Sequence, residues 1–149
     1  MLNKTVGRPM EILLVEDSLV DARLTMGALK KGQVPHRLTL VRDGAEAMEF
    51  LRQEGCFARA PRPDLMLLDL HLPKKDGLEV LSEVKADYDL QSIPIVVLTA
   101  SDVTEDMQKC ELLHVDAYMN KPVDTERFIE VVRQLKRFWH ANLIMPALD

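Results

Sequence analysis

Three stretches of this chain are apolar without alternation: Glu11-Ile12-Leu13-Leu14-Val15, Leu65-Met66-Leu67-Leu68-Asp69 and Pro94-Ile95-Val96-Val97-Leu98-Thr99. A strand with one wet face alternates apolar and polar residues, so runs like these read as strands buried on both faces, in the middle of a parallel sheet covered by helices. Each run stops on polar residues: Glu16 and Asp17 follow the first, Asp69 closes the second and Thr99 closes the third. In an open α/β sheet, ligands bind outside the carboxyl ends of the strands, so these residues are placed for chemistry. Pro73 and Gly77 then force a loop after Asp69 before a helical pattern resumes at Leu78.

The intervening segments supply the covering helices. Leu19, Ala22, Met26 and Leu29 recur at helical spacing, with Gly32 as the stop. His36 to Val41 suits an edge strand. Asp43-Gly44-Ala45-Glu46 has the form of a capping box that opens a second helix, with Met48 and Leu51 on its buried stripe and an end near Gly55. Leu78, Leu81 and Val84 mark a third helix. Thr104-Glu105-Asp106 opens a short fourth that runs to about His114. Asp116 to Asn120 is a short fifth strand leading into Lys121-Pro122, and Asp124 caps a last helix with Phe128, Val131, Val132, Leu135, Phe138 and Trp139 on a broad apolar face. Strand and helix alternate five times, which predicts an α/β fold: a doubly wound parallel sheet of five strands with five helices, in three layers.

A chain of 149 residues with 47% hydrophobic content fits one domain with a single core. A net charge of -5 gives no general attraction to nucleic acid. No apolar stretch approaches membrane-spanning length, and no signal-peptide core is present, so the expected location is the cytoplasm. Cys56 and Cys110 fall in different predicted helices without metal-binding spacing and read as buried or half-buried free thiols.

The chemistry follows from the strand ends. If the first and central strands are neighbours, Asp17 and Asp69 face each other, and like charges that close resist joint ionisation unless a cation intervenes. Hard carboxylate oxygens with room for water favour Mg²⁺. Lys121 and the Thr99 hydroxyl are donors suited to phosphoryl oxygens, which leaves Asp69 as a nucleophile that would form an acyl phosphate. Taken singly these residues say little: Lys121-Pro122 reads as a turn, Tyr118 as a half-buried strand aromatic, and Trp139 as a residue packed on its own domain. Their weight comes from converging on one sheet edge.

Val15-Glu16-Asp17-Ser18, the Asp69 block with Leu72-Pro73 and Asp76-Gly77, Leu98-Thr99-Ala100 and Lys121-Pro122-Val123 together resemble the receiver domain of two-component response regulators, the CheY-like branch of the flavodoxin-like folds. The resemblance implies strand order 2-1-3-4-5 and a receiver domain over 10–141 followed by a tail over 142–149, while residues 1–9, polar and without periodicity, read as a mobile segment. It implies that Asp69 accepts a phosphoryl group from a sensor histidine kinase. Asp17, Asp69 and the main-chain carbonyl of His71 would ligate Mg²⁺, with Glu16 acting through water. Thr99, Ala100 and Lys121 would bind the phosphoryl oxygens, Thr99 and Tyr118 would form a switch pair, and the Lys121-Pro122 bond would be cis.

A narrower likeness, carried by Ala60-Pro61-Arg62-Pro63, Asp43 to Ala47 and the tail Phe138-Trp139-His140 with Met145-Pro146, points to stand-alone regulators of phytochrome-type kinases. It implies a homodimer through the fourth and fifth helices and the fifth strand, with Phe138 and Trp139 in the interface. The chain departs from these patterns at His71, where Asn is expected, and at His114, where many receivers carry Gly. Such a protein is a regulatory phosphoacceptor whose only catalysis is its own phosphorylation and dephosphorylation. Two alternatives stay open: a phosphorelay intermediate that hands the group onward, and a Mg²⁺-dependent aspartyl-phosphate phosphohydrolase. The second is disfavoured because His71 stands where such enzymes carry an acid.

Overall fold

The computed structural model describes residues 8–99, 108, 110 and 113–135. Five strands, β1 (Met10–Val15), β2 (His36–Val41), β3 (Leu65–Asp69), β4 (Ile95–Thr99) and β5 (Ala117–Asn120), form one sheet. All pairs are parallel and the order is β2-β1-β3-β4-β5, as predicted. Four helices are described: α1 (Leu19–Lys31), α2 (Gly44–Leu51), α3 (Gly77–Ala86) and α4 (Thr125–Gln134). The predicted helix from Thr104 to about His114 lies largely outside the described residues, although Gln108 and Cys110 are helical. Ala100, Phe138 and Trp139 lie outside them altogether.

The unbroken apolar runs have a direct cause in the layering. Side chains of a strand alternate between faces, and here both faces are covered. Leu13, Val15, Met66, Leu68, Ile95 and Val97 point into one core with α2 and α3, while Met10, Ile12, Leu14, Leu65, Leu67, Val96 and Leu98 point into a second with α1 and α4. The strands β3 and β4 are buried at every position. β2, at the sheet edge, is half-exposed through most of its length.

Helix starts follow their caps. Ser18 Oγ accepts from Asp21 N at 3.2 Å, Asp43 Oδ1 from Glu46 N at 2.8 Å, Asp76 Oδ1 from Glu79 N at 2.9 Å and Asp124 Oδ2 from Arg127 N at 3.0 Å. Each satisfies a first-turn N–H that has no partner within the helix. The box opening α2 is displaced by one residue: Glu46 Oε1 reaches back to Arg42 N instead of to the capping residue itself. α2 also stops at Leu51, four residues short of Gly55, with Gln53 at φ 56° and a 3-10 turn over Gly55–Phe57.

Two further expectations are corrected by packing. Leu19 is 48% exposed, because the buried stripe of α1 runs through Ala22, Thr25, Ala28 and Leu29. Cys56 is exposed on the 3-10 turn, whereas Cys110 is buried. His114 adopts φ 56°, the left-handed conformation that Gly commonly supplies.

Candidate functional site

β1 and β3 are hydrogen-bonded neighbours, so the acids that follow them meet at the carboxyl edge of the sheet. Glu16 is fully buried and Asp69 is nearly so, while Asp17 is exposed. Carboxylate oxygens of Glu16, Asp17 and Asp69 lie within 4.8 Å of one another, a grouping that could hold a metal ion. The main chain shapes this pocket. Ser18 N donates to Glu16 Oε2 at 3.2 Å, and His71 N donates to Asp69 Oδ1 at 3.1 Å. Gly77 N closes the loop after β3 on Leu70 O at 2.9 Å, and a Cβ at Gly77 would collide with the Asp69 carbonyl.

Lys121 enters from the far side. Its backbone N donates to Thr99 O at 2.9 Å, which holds the residue beside the end of β4, and the bond to Pro122 is cis. From there its Nζ lies 2.6 Å from Glu16 Oε1, 2.9 Å from Asp69 Oδ2 and 3.2 Å from Asp21 Oδ2. The contact with Glu16 is electrostatic and not an aligned hydrogen bond, for Oε1 has no such donor among the described residues. Burial pushes the Glu16 carboxyl up to about 6. Burial also works against the Lys121 charge, but Glu16 and Asp69 outweigh it and hold the ammonium above the ordinary lysine range.

Of the residues singled out from the sequence, Glu16, Asp17, Asp69 and Lys121 come together. Thr99 stands beside them at the end of β4, buried, and His71 is exposed on the loop after β3. Tyr118 is half-buried on β5 opposite Val97 and packs against the α2/α3 core. Two residues at the site were not anticipated. Asp21 joins Lys121 from the first turn of α1, and Arg42 grips the Asp17 carbonyl through Nη2 at 2.6 Å and Nε at 3.2 Å. Neither stood out in the sequence, where Asp21 reads as an ordinary first-turn acid of α1.

Over residues 12–133 the chain matches the response regulator receiver domain. The chain belongs to the response regulator receiver family. This receiver is 45% identical to response regulator Rcp1 of Synechocystis over 139 residues, covering 93% of this chain and 95% of Rcp1. The crystal structure of Mn²⁺-bound Rcp1 superposes with a TM-score of 0.74, covering 93% of this chain and 100% of that one. The phosphorylated cyanobacterial phytochrome response regulator RcpA is 46% identical with a TM-score of 0.74, covering 93% of this chain and 99% of that one. The bacteriophytochrome response regulator AtBRR is 40% identical with a TM-score of 0.80, covering 89% and 96% respectively. Among the described residues no helix is long and apolar enough to cross a membrane.

Proposed function

We propose that this response regulator accepts a phosphoryl group on Asp69 from the phosphohistidine of a phytochrome-type sensor kinase, with Mg²⁺ as cofactor. One observation carries the reading. A near-buried carboxylate, Asp69, stands in contact with an ammonium, Lys121, which it shares with Glu16, and Asp17 completes the acid cluster beside them. The donor set suits the metal: three carboxylates are too few to fill an octahedron, and exposed Asp17 admits water to the remaining positions. Asp17, Asp69 and the His71 carbonyl would hold the ion directly and Glu16 through water. When bound, Mg²⁺ offsets negative charge on the oxygens of the transferring group.

The residues of the chain divide the remaining work. An Asp69 oxygen forms a bond to phosphorus as the P–N bond breaks, and the electron pair stays on the imidazole nitrogen of the donor. Lys121 leaves its contact with Asp69 for a phosphoryl oxygen, and Thr99 and Ala100 donate to the others. Thr99 then couples the acyl phosphate to Tyr118, since a phosphoryl group shifts a conformation only through contacts that differ between the two states. Beside the site, Leu19, Val20 and Leu24 are exposed on α1, an apolar surface on which the donor protein can seat. The RcpA and AtBRR likenesses support the phytochrome assignment.

Asp69→Asn is the test. The variant should fold normally and take up no phosphoryl group from a small acyl phosphate or a phosphorylated kinase. A variant that still gains one base-labile phosphoryl group at the parent rate overturns the assignment. The phosphohydrolase alternative requires turnover of a phosphomonoester by the parent.

A further inference from the structure

Lys121 is held by three carboxylates, and they are not equivalent. Glu16 and Asp69 belong to the acid cluster that can take a cation, and Asp69 is the proposed acceptor. Asp21 belongs to neither group. Its Oδ2 lies 3.2 Å from Lys121 Nζ, its side chain is 39% exposed against 11% for Lys121, and it stands in the first turn of α1. Its backbone is fixed there by the Ser18 cap on its own N–H.

We propose that Asp21 is a positioning residue that tethers the Lys121 ammonium on the α1 side of the site. Two of the three ammonium donors go to Asp21 and Asp69, and Glu16 adds a close ionic contact. Once Glu16 and Asp69 turn to a cation and a phosphoryl group, two of those contacts are given up. The Asp21 contact persists, because neither ligand needs it. It keeps a long, rotamer-rich side chain within reach of the phosphoryl oxygens, so less freedom is lost when the new contact forms. This inference rests on the phosphoacceptor reading for its consequence, but the tether itself can be observed apart from it.

Asp21→Asn and Asp21→Ala make the measurement, since both remove the same charge and only Asn keeps an oxygen for the ammonium. In the Mg²⁺-loaded protein, ¹³C relaxation at Lys121 Cε should report an ordered side chain in the parent and Asp21→Asn, and a mobile one in Asp21→Ala. Uptake from acetyl phosphate at saturating Mg²⁺ should be about 3- to 10-fold slower in Asp21→Ala than in Asp21→Asn, and this gap should close in a Lys121→Met background. Equal Lys121 order in all three proteins overturns the tether. So does an uptake gap that persists without Lys121. If the parent takes up no phosphoryl group, the proposed function fails and the relaxation result alone decides the tether.

Discussion

Acids sit at both ends of this sheet, and they live differently. At the amino end, Asp64 accepts Glu11 N at 2.8 Å and receives two bonds from Arg8, at 2.7 and 2.8 Å. Asp116 repeats the arrangement before β5, accepting Ile95 N at 2.8 Å with Lys85 at 4.0 Å. Each of these carboxylates ties two neighbouring strands together and has its own partners. At the carboxyl end, Glu16, Asp17 and Asp69 crowd within 4.8 Å, and two of them share one lysine with Asp21. The same chemical group therefore closes the fold at one edge and leaves a demand for positive charge at the other.

The sharpest way to break this contrast is to remove one acid from each end. Asp17→Ala should weaken Mg²⁺ binding by at least about 10- to 100-fold, the loss that follows when groups merely orienting a metal's ligands are removed. Calorimetric titration reads it, and unchanged affinity would place the cation elsewhere. Asp64→Ala should leave Mg²⁺ affinity alone but cost about 1–3 kcal/mol of stability in urea, because Glu11 N loses its acceptor in a part-buried place. A variant as stable as the parent would mean that the amino-end acids are not structural.

Acidity separates the two ends next. Glu16 binds its proton more tightly in the folded chain, its carboxyl rising from 4.5 to about 6. In metal-free protein this contribution to stability is fully present below pH 4.5 and is lost as pH rises through about 6. Cation affinity should run the opposite way, strengthening over the same window as Glu16 ionises and levelling above it. A flat affinity between pH 5 and pH 7, buffered at constant ionic strength, would remove Glu16 from the site. The smallest effect belongs to Lys85→Met, which keeps the packed stem and should change stability by less than about 0.5 kcal/mol, because a 4.0 Å pair adds little to an Asp116 already bonded to backbone.

What the sequence could reveal tracks these physical differences. Buried strands show themselves because both faces need apolar side chains, and caps show themselves because the donor and acceptor lie three residues apart. Glu16, Asp17, Asp69 and Lys121 were legible because each ends or follows a strand, and the doubly wound topology gathers such ends. Asp21 was not, since a first-turn acid already has a sufficient local reason in the helix dipole, and its partner is 100 residues away. Leu19 misled for a related reason: helical spacing from Ala22 and Leu29 can be read as one face, but packing places the buried stripe through Ala22, Thr25, Ala28 and Leu29 and leaves Leu19 outside it. Arg42 carries no local signal at all, because its target is a main-chain oxygen that any residue supplies.

One close approach also governs where this chain can grow longer. Gly44 opens α2 so tightly against the Lys75 carbonyl that a side chain has no room there. The loop after Asp69 is thereby registered against a helix start, and an inserted residue between Leu72 and Asp76 would have to displace both. Ala58 and Arg59, by contrast, are exposed at the opposite edge of the sheet, between the 3-10 turn and β3. A tag or a reporter spliced there meets open solvent, so the molecule offers an attachment point that leaves its reacting edge untouched.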